Sequence, residues 1–370
     1  MIYKFEYHYI FMKTFFILGR NPELSRAEVN AFLDARGREY SEVLFEENFL
    51  VLETGEGEKF DVQEFGGVMK LGEILFEGSE EGFEQFVDDK DLVPSDKFSY
   101  ALFGNVDTEI LKDKFKREKR KAMLKHGRKR IKFQGGENVE LPNADFYFFL
   151  HEFDGKIYFG VIDQSYDAFK VKERDMGKPV RREHLAISPR LAKILINLSR
   201  AKRGELMLDP FCGVGGILQE ALLKNIKVYG IDHDKSAIRD ADVNLKWLAE
   251  NYDLDVKWKL KNIDSRKAPD LQFGAIATET PLGKILRKKP SSGEAKKIIQ
   301  NFEAFIVPIL TRLKKCKKPS ARIAITFPVV GGIRVDSAKI ADRASLKLRG
   351  KPISEFREDQ FISRDIVIFS

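Results

Sequence analysis

Cysteine is nearly absent from these 370 residues: Cys212 and Cys316 are too few for a disulfide scaffold, and alone they cannot make a zinc site. The five histidines show no metal-ligand spacing, so no metal is expected. Long apolar runs are lacking as well. The longest, such as 15–18 and 146–150, fall far short of the roughly 20 residues a membrane helix needs. Lys4, Glu6, Lys13 and Arg20 stand where a secretory signal would carry its apolar core. No repeat or low-complexity tract occurs. These absences point to a cytoplasmic protein without membrane contact. They leave a composition of 43% hydrophobic and 33% charged residues to build ordinary cores, in two or three domains at about 100–200 residues each.

What is plentiful is charge, unevenly spread. Residues 1–111 hold ten basic and 24 acidic side chains, residues 112–132 hold 12 and two, and residues 133–370 hold 42 and 31. An acidic opening, a dense basic stripe and a basic remainder suggest a polyanion partner for the later parts only. Twelve cations against two anions within 112–132 are too lopsided to pair with one another. Lys116, Arg117, Lys119, Arg120, Lys121, Lys125, Arg128, Lys129 and Arg130 are therefore candidate contacts to nucleic-acid phosphates. Arg181 and Arg182, and the run Lys284, Arg287, Lys288 and Lys289, are further candidates.

Met12 reads as the natural opening, with residues 1–11 as an extension. Phe15 to Leu18 suit a buried strand ended by Gly19, and Asn21 to Ser25 lead into a helix through Leu33, where Ser25 and Glu28 have capping-box spacing. Residues 41–53 read as one strand, and 60–110 as alternating short helices and strands. Leu111, Phe115, Lys119 and Met123 share one face of a helix that passes into a strand by Lys132. Asp154-Gly155 signals a hairpin. The polar stretch 163–190 reads as a connection into a helix at Leu191. Strands at 205–209, 226–232, 256–261, 273–278, 321–327, around 345–350 and 363–369 then alternate with helices. That rhythm predicts an α/β domain with a seven-stranded, mostly parallel sheet, after which nothing remains for a further domain.

The chemistry-bearing string is Leu206-Met-Leu-Asp209-Pro210-Phe211-Cys212-Gly213-Val214-Gly215-Gly216, a strand running into a Gly-rich turn and a helix. Glycines let backbone approach a ligand, and the helix N-terminus offers free N–H groups. Asp232 ends the next strand, where a ribose-binding carboxylate belongs. A dinucleotide fingerprint would need a third glycine where Leu218 stands, and Asp209-Pro210 is foreign to it. The string is instead similar to motif I of class I S-adenosylmethionine-dependent methyltransferases. Asp264, in Asn262-Ile-Asp264 after the third strand, is either an acceptor for the adenine amino group or part of a polar turn. At the end of the fourth strand, Thr278-Glu279-Thr280-Pro281-Leu282-Gly283 resembles the D/N/S-x-P-Y/F motif of methyltransferases acting on exocyclic amines. It departs from it in the longer acid, Glu279, and in Leu282 at the aromatic position. Cys212 fits the turn by its small size and is not a nucleophile, since amino methylation needs no covalent enzyme intermediate.

Four stretches together resemble the THUMP-domain tRNA guanosine N2-methyltransferases, the archaeal and eukaryotic enzymes that modify guanosine-10 of tRNA. They are Phe16 to Ser25, Gly66 to Ile74, Arg174 to Arg181 continued by Ser188 to Ala192, and Asp209 to Gly216. The resemblance covers about 12–370. It implies a ferredoxin-like portion at 12–60, a THUMP RNA-binding domain at 61–165, a linker at 166–190 and a Rossmann-like methyltransferase domain at 191–370. S-adenosylmethionine would be the cofactor, with Asp209, Phe211, Gly213 and Gly215 around its methionine end, Asp232 on the ribose and Asp264 on adenine. Glu279 and the Thr280–Pro281 backbone would receive the guanine amino group. The implied partner is tRNA, met by a monomer, with room for a small activating subunit. A weakened RNA-binding paralogue and an amino-methyltransferase for another base or for rRNA are the readings that remain beside it.

Overall fold

The computed structural model describes residues 12–55, 59–106, 109–125, 128–132, 138–182, 187–281, 289–355 and 361–370. The first half runs β1 (Met12–Leu18), α1 (Pro22–Arg36), β2 (Tyr40–Glu46), β3 (Phe49–Thr54), β4 (Val68–Gly78), α2 (Glu80–Asp89), β5 (Lys97–Phe103), α3 (Glu109–Arg117), β6 (Lys121–Leu124), β7 (Arg128–Lys132), β8 (Asn138–Pro142), β9 (Phe146–Phe153), β10 (Lys156–Ser165) and α4 (Ala168–Gly177). Eight of these strands form one mixed sheet in the order β2-β3-β1-β4-β10-β9-β5-β6, and β7 pairs with β8 separately. Strands from before and after residue 60 thus lie side by side, β4 between β1 and β10. The sheet curls until Phe49 meets Phe149 at 5.4 Å and Glu46 Oε2 meets His151 Nε2 at 2.6 Å, across the intervening strands. Phe15 fills the concave side, and a side chain at Gly160 would enter its ring.

Several local expectations are corrected. The single strand expected at 41–53 is a hairpin, turned at Glu47 with φ 48°. The helix expected to carry Leu111 through Met123 stops at Arg117; Lys119 takes φ 58°, and Met123 lies 58% exposed on β6. Ser25 and Glu28 do not cap α1. Asn21 does, accepting from Leu24 N at 3.3 Å, with Pro22 at the first helical position. The hairpin at Asp154-Gly155 forms as read, with φ 50° and 69°. The stretch read as a linker contains α4, whose Arg174 and Asp175 are buried.

The second half runs α5 (Pro189–Leu198), β11 (Leu206–Asp209), α6 (Gly216–Leu223), β12 (Lys227–Asp232), α7 (Lys235–Asn251), β13 (Trp258–Asn262), β14 (Ala275–Thr278), α8 (Ser292–Cys316), β15 (Ile323–Val330), β16 (Ile333–Arg334), α9 (Ser337–Ala344), β17 (Ile353–Glu355) and β18 (Ile362–Phe369). The order is β13-β12-β11-β14-β15-β18-β17, with β16 off β15. The strands β11 to β15 are parallel; β16 and β18 run antiparallel to β15, and β17 runs antiparallel to β18. The sheet therefore has eight strands and is mixed, where seven mostly parallel ones were expected. The strand expected around 345–350 is reduced to a bridge between Leu348 and Phe369. Gly350 at φ 69° and Pro352, which has no N–H to give, delay the regular ladder until Ile353. Helices α5, α6 and α7 cover one face, and α8 and α9 the other.

The two halves meet through α5, all ten residues of which are buried. The loop 63–67 is wedged beside it, its backbone satisfied by side chains. Lys193 donates to Gln63 O at 2.7 Å, Lys224 to Glu64 O at 2.8 Å and Arg190 to Gly66 O at 2.6 Å. Glu28, fully buried, accepts from Gly66 N at 2.8 Å, Gly67 N at 2.7 Å and Asn197 Nδ2 at 2.7 Å. A side chain on Gly66 would strike the Arg190 carbonyl, and one on Gly67 would strike Ser25. Three of the four sequence stretches that carry the resemblance therefore converge on this junction.

Candidate active site

Methyl-transfer candidates gather at the carboxyl ends of the parallel strands. Asp209 ends β11 at 1% exposure and receives hydrogen bonds from Thr278 Oγ1 at 2.5 Å and Phe211 N at 3.1 Å. Burial raises its pKa to about 7, against those two hydrogen bonds; the nearby charges of Asp232 and Glu279 add to the rise. The chain then turns through Gly213 at φ 51° and Gly215 at φ 87°, both left-handed, into α6. Around Gly213 the space that a side chain would occupy is open. Cys212 N donates to Ile231 O at 2.9 Å, and a side chain at Gly230 would strike Leu218 and Leu260 and press on Cys212 Sγ. Burial drives the Cys212 thiol well above its ordinary value, which suits a packing role rather than a nucleophile.

Asp232 is joined to this turn. Its Oδ2 accepts from Gly213 N at 3.0 Å and its Oδ1 from Asp234 N at 2.9 Å. One carboxylate thus shapes the Gly-rich turn; Oδ1 also lies 3.3 Å from His233 Nδ1, and Oδ2 keeps a lone pair for a further donor. Asp264 is placed differently. It caps a short 3-10 turn through Arg266 N at 2.8 Å and pairs with the Arg266 guanidinium at 2.5 Å, which holds its pKa down to about 2. Phe211 is part-buried and packs on Phe305 of α8, ring centroids 5.8 Å apart.

At the end of β14, Thr280 is buried and locked to β15: its N–H donates to Thr326 Oγ1 at 3.1 Å and its hydroxyl to Thr326 O at 2.7 Å. Glu279 ion-pairs with Arg364 of β18, while Pro281 is exposed. Leu282, Lys284, Arg287 and Lys288 lie outside the described residues. The structure therefore brings Asp209, Phe211, Gly213, Gly215, Asp232 and Glu279 to one end of the sheet, with Thr280 and Pro281 beside them. The open cradle at Gly213, the buried acid at Asp209 and the spare lone pair of Asp232 Oδ2 fit a cationic adenosyl donor; Asp264 fits less well, its carboxylate being occupied by Arg266. Sequence reasoning missed Thr278, Thr326 and Arg364, whose roles depend on pairing between distant strands. It also missed Asn244, which grips Val180 N and O at 2.9 and 3.0 Å and Val214 O at 3.0 Å, strapping the connection to the turn. Among the described residues no group of acids, histidines and cysteines could hold a metal ion, and no helix is long and apolar enough to cross a membrane.

The basic stripe is less lopsided in space than in sequence. Arg117 pairs with Asp88, and Arg120 with Asp91 at 2.8 Å and Glu118 at 2.9 Å. The acids Asp88 and Asp91 come from outside the 112–132 window, so these two cations find partners that a charge count within the window does not include. Lys116, Lys119, Lys121 and Lys125 make no ion pair among the described residues, and all are exposed. Arg128, Lys129 and Arg130 lie on β7. Arg181 is exposed beside Met176, whereas Arg182 is tied to Asp234 at 3.0 Å and Asp240 at 2.7 Å.

Residues 179–303 match the model of the UPF0020 family, the RMKL-like methyltransferase domain. The tRNA (guanine(10)-N2)-dimethyltransferase of Pyrococcus abyssi is 36% identical over 134 residues, 36% of this chain and 36% of that protein. The protein of the same name from Methanocaldococcus jannaschii is 36% identical over 126 residues, 32% of this chain and 34% of its own length. The matched stretch thus spans about a third of these relatives. Among solved structures, TrmN from Thermus thermophilus shares the fold over 97% of this chain and 99% of its own, with a TM-score of 0.55 at 14% identity.

Proposed function

We propose that this chain transfers a methyl group from S-adenosylmethionine to the exocyclic N2 amine of a guanosine in tRNA, guanosine-10 being the expected position. The observation that carries the reading is the joining of Asp209, Gly213 and Asp232 into one cradle with Glu279 at its rim. The similarity to tRNA (guanine(10)-N2)-dimethyltransferases supplies the substrate class.

S-adenosylmethionine bound in this cradle supplies an electrophilic methyl group on a sulfonium. Asp232 binds the ribose hydroxyls, and Asp209 with the turn at Gly213 and Gly215 encloses the methionine end. The guanine amine is a poor nucleophile because its lone pair is delocalised into the ring. Glu279 Oε2 and the Thr280 carbonyl accept its hydrogens and localise that pair toward the methyl group. The bound donor would give up its methyl group with the sulfur retaining the bonding electrons, and Glu279 would take the proton released by the amine and pass it on to water. A guanine in a stem must first leave the stack, at a cost of a few kcal/mol. Phosphate contacts from Lys116, Lys119, Lys121 and Lys125, which make no ion pair among the described residues, and from the basic residues that follow Pro281 in the sequence offset that cost. The first half acts in this reading as a THUMP-type RNA-binding region on a monomeric enzyme.

The test is a reconstituted reaction with unmodified tRNA, followed by mass spectrometry of the nucleosides. Expected are N2-methylguanosine and N2,N2-dimethylguanosine. Donor binding without transfer, even with a candidate activating subunit added, would point to a weakened RNA-binding paralogue. Methyl groups on another base or on rRNA would redirect the substrate.

A further inference from the structure

Glu279 does not reach the pocket alone. Arg364 Nη1 is bound to Glu279 Oε1, the arginine side chain 5% and the glutamate side chain 15% exposed. Glu279 Oε2 has no hydrogen-bond partner among the described residues. Arg364 also has a second acid beside it. Its cross-strand partner on β17 is Glu355, which is held from the first half of the chain by Arg20 and, at 3.0 Å, by Asn21. Asn21 donates to Ser354 O as well, at 2.7 Å. Charges of alternating sign therefore run from the rim of the cradle to the start of α1: Glu279, Arg364, Glu355, Arg20.

A buried guanidinium is expensive unless it is paired, so its place beside one oxygen of Glu279 is a constrained one. Glutamate has one more rotatable bond than the aspartate usual at this motif, and an unrestrained carboxylate would spread over several rotamers. Arginine presents a planar, pre-organised fork that fixes a carboxylate's direction, which a lysine's point charge does less well.

We propose that Arg364 is a positioning residue: by holding Oε1 it selects the Glu279 rotamer in which Oε2 meets the amine. This rests on the amino-methyltransferase reading above. It also explains how a glutamate serves where a shorter acid is the rule.

The experiment is a double-mutant cycle on methyl transfer to tRNA, with Arg364→Met, Arg364→Lys, Glu279→Gln and the double variant Arg364→Met/Glu279→Gln. Donor affinity is measured by calorimetry and folding by thermal unfolding. Arg364→Met is expected to lower kcat at least tenfold, with KM for tRNA and the donor Kd within about twofold of wild type. Arg364→Lys is expected to recover part of that loss. The double variant is expected to be no slower than Glu279→Gln alone, because Arg364 acts only through the acid. Where Arg364→Met fails to fold, Arg364→Lys paired with Glu279→Gln closes the same cycle. Losses that multiply, or a kcat unmoved by Arg364→Met, overturn the positioning role while leaving the methyltransferase reading intact. A wild-type enzyme that binds the donor and methylates no RNA amine overturns both.

Discussion

Thr278 Oγ1 donates a 2.5 Å hydrogen bond to Asp209 Oδ1, joining the ends of two neighbouring parallel strands at the floor of the cradle. The acid it holds is buried, with a pKa raised from 3.8 to about 7. The folded state therefore keeps a proton that the unfolded chain releases. Between about pH 4 and 7 the native state binds more protons, so this group's contribution to stability falls as pH rises and levels off above 7. Each unit of displacement is worth about 1.4 kcal/mol.

Asp209→Asn should accordingly raise the unfolding temperature at pH 8 and do little near pH 4, since a neutral amide has no charge to bury. The same change should weaken donor binding. Thermal unfolding of both proteins across this pH range checks the first part. A difference independent of pH would show that Asp209 is ionised in the fold.

Asp232→Ala should weaken donor affinity by roughly 1.5–3 kcal/mol, the range of a hydrogen bond to a charged group. Part of the loss would come from the turn, since Asp232 also holds Gly213 N. Calorimetry with S-adenosylmethionine measures the change. Unaltered affinity would remove Asp232 from the ribose site.

Glu28→Gln tests the junction. Each oxygen of Glu28 faces an N–H donor, so an amide must turn its own donor toward Gly66 or Gly67. A buried donor left unsatisfied costs about 1–3 kcal/mol. Urea unfolding should show that loss without a matching change in the activity of the folded protein. An equally stable variant would mean the network is dispensable.

The outline of the second half was legible because parallel strands buried on both faces read as short apolar runs between turns. The Gly-rich turn was legible because its backbone conformation demands glycine. What stayed hidden is of another kind. Glu28 looked like a capping residue because its spacing from Ser25 is local, whereas its partners Gly66, Gly67 and Asn197 are distant in sequence. Arg364 carries no local signal, since its role depends on β18 returning antiparallel beside β15. Asp88 and Asp91, which pair with Arg117 and Arg120, were hidden because charge was counted in a window along the chain rather than across space.

That last difference divides the basic stripe into two groups with distinct expected behaviour. Lys116, Lys119, Lys121 and Lys125 are exposed without ion pairs among the described residues, so RNA phosphates can release counterions through them at no cost in broken pairs. Arg117 and Arg120 must first give up Asp88 and Asp91. Replacing the four lysines with alanine should therefore weaken tRNA binding and flatten the dependence of log K on log salt by up to about 0.7–0.9 for each phosphate that is no longer neutralised. Replacing the two arginines should change the salt slope much less. Donor affinity should be unchanged in both sets. Filter binding or fluorescence anisotropy from 50 to 300 mM salt, on the order of the range where such slopes are read, separates the two. Equal slopes for wild type and the lysine variant would move the RNA path away from α3 and β6.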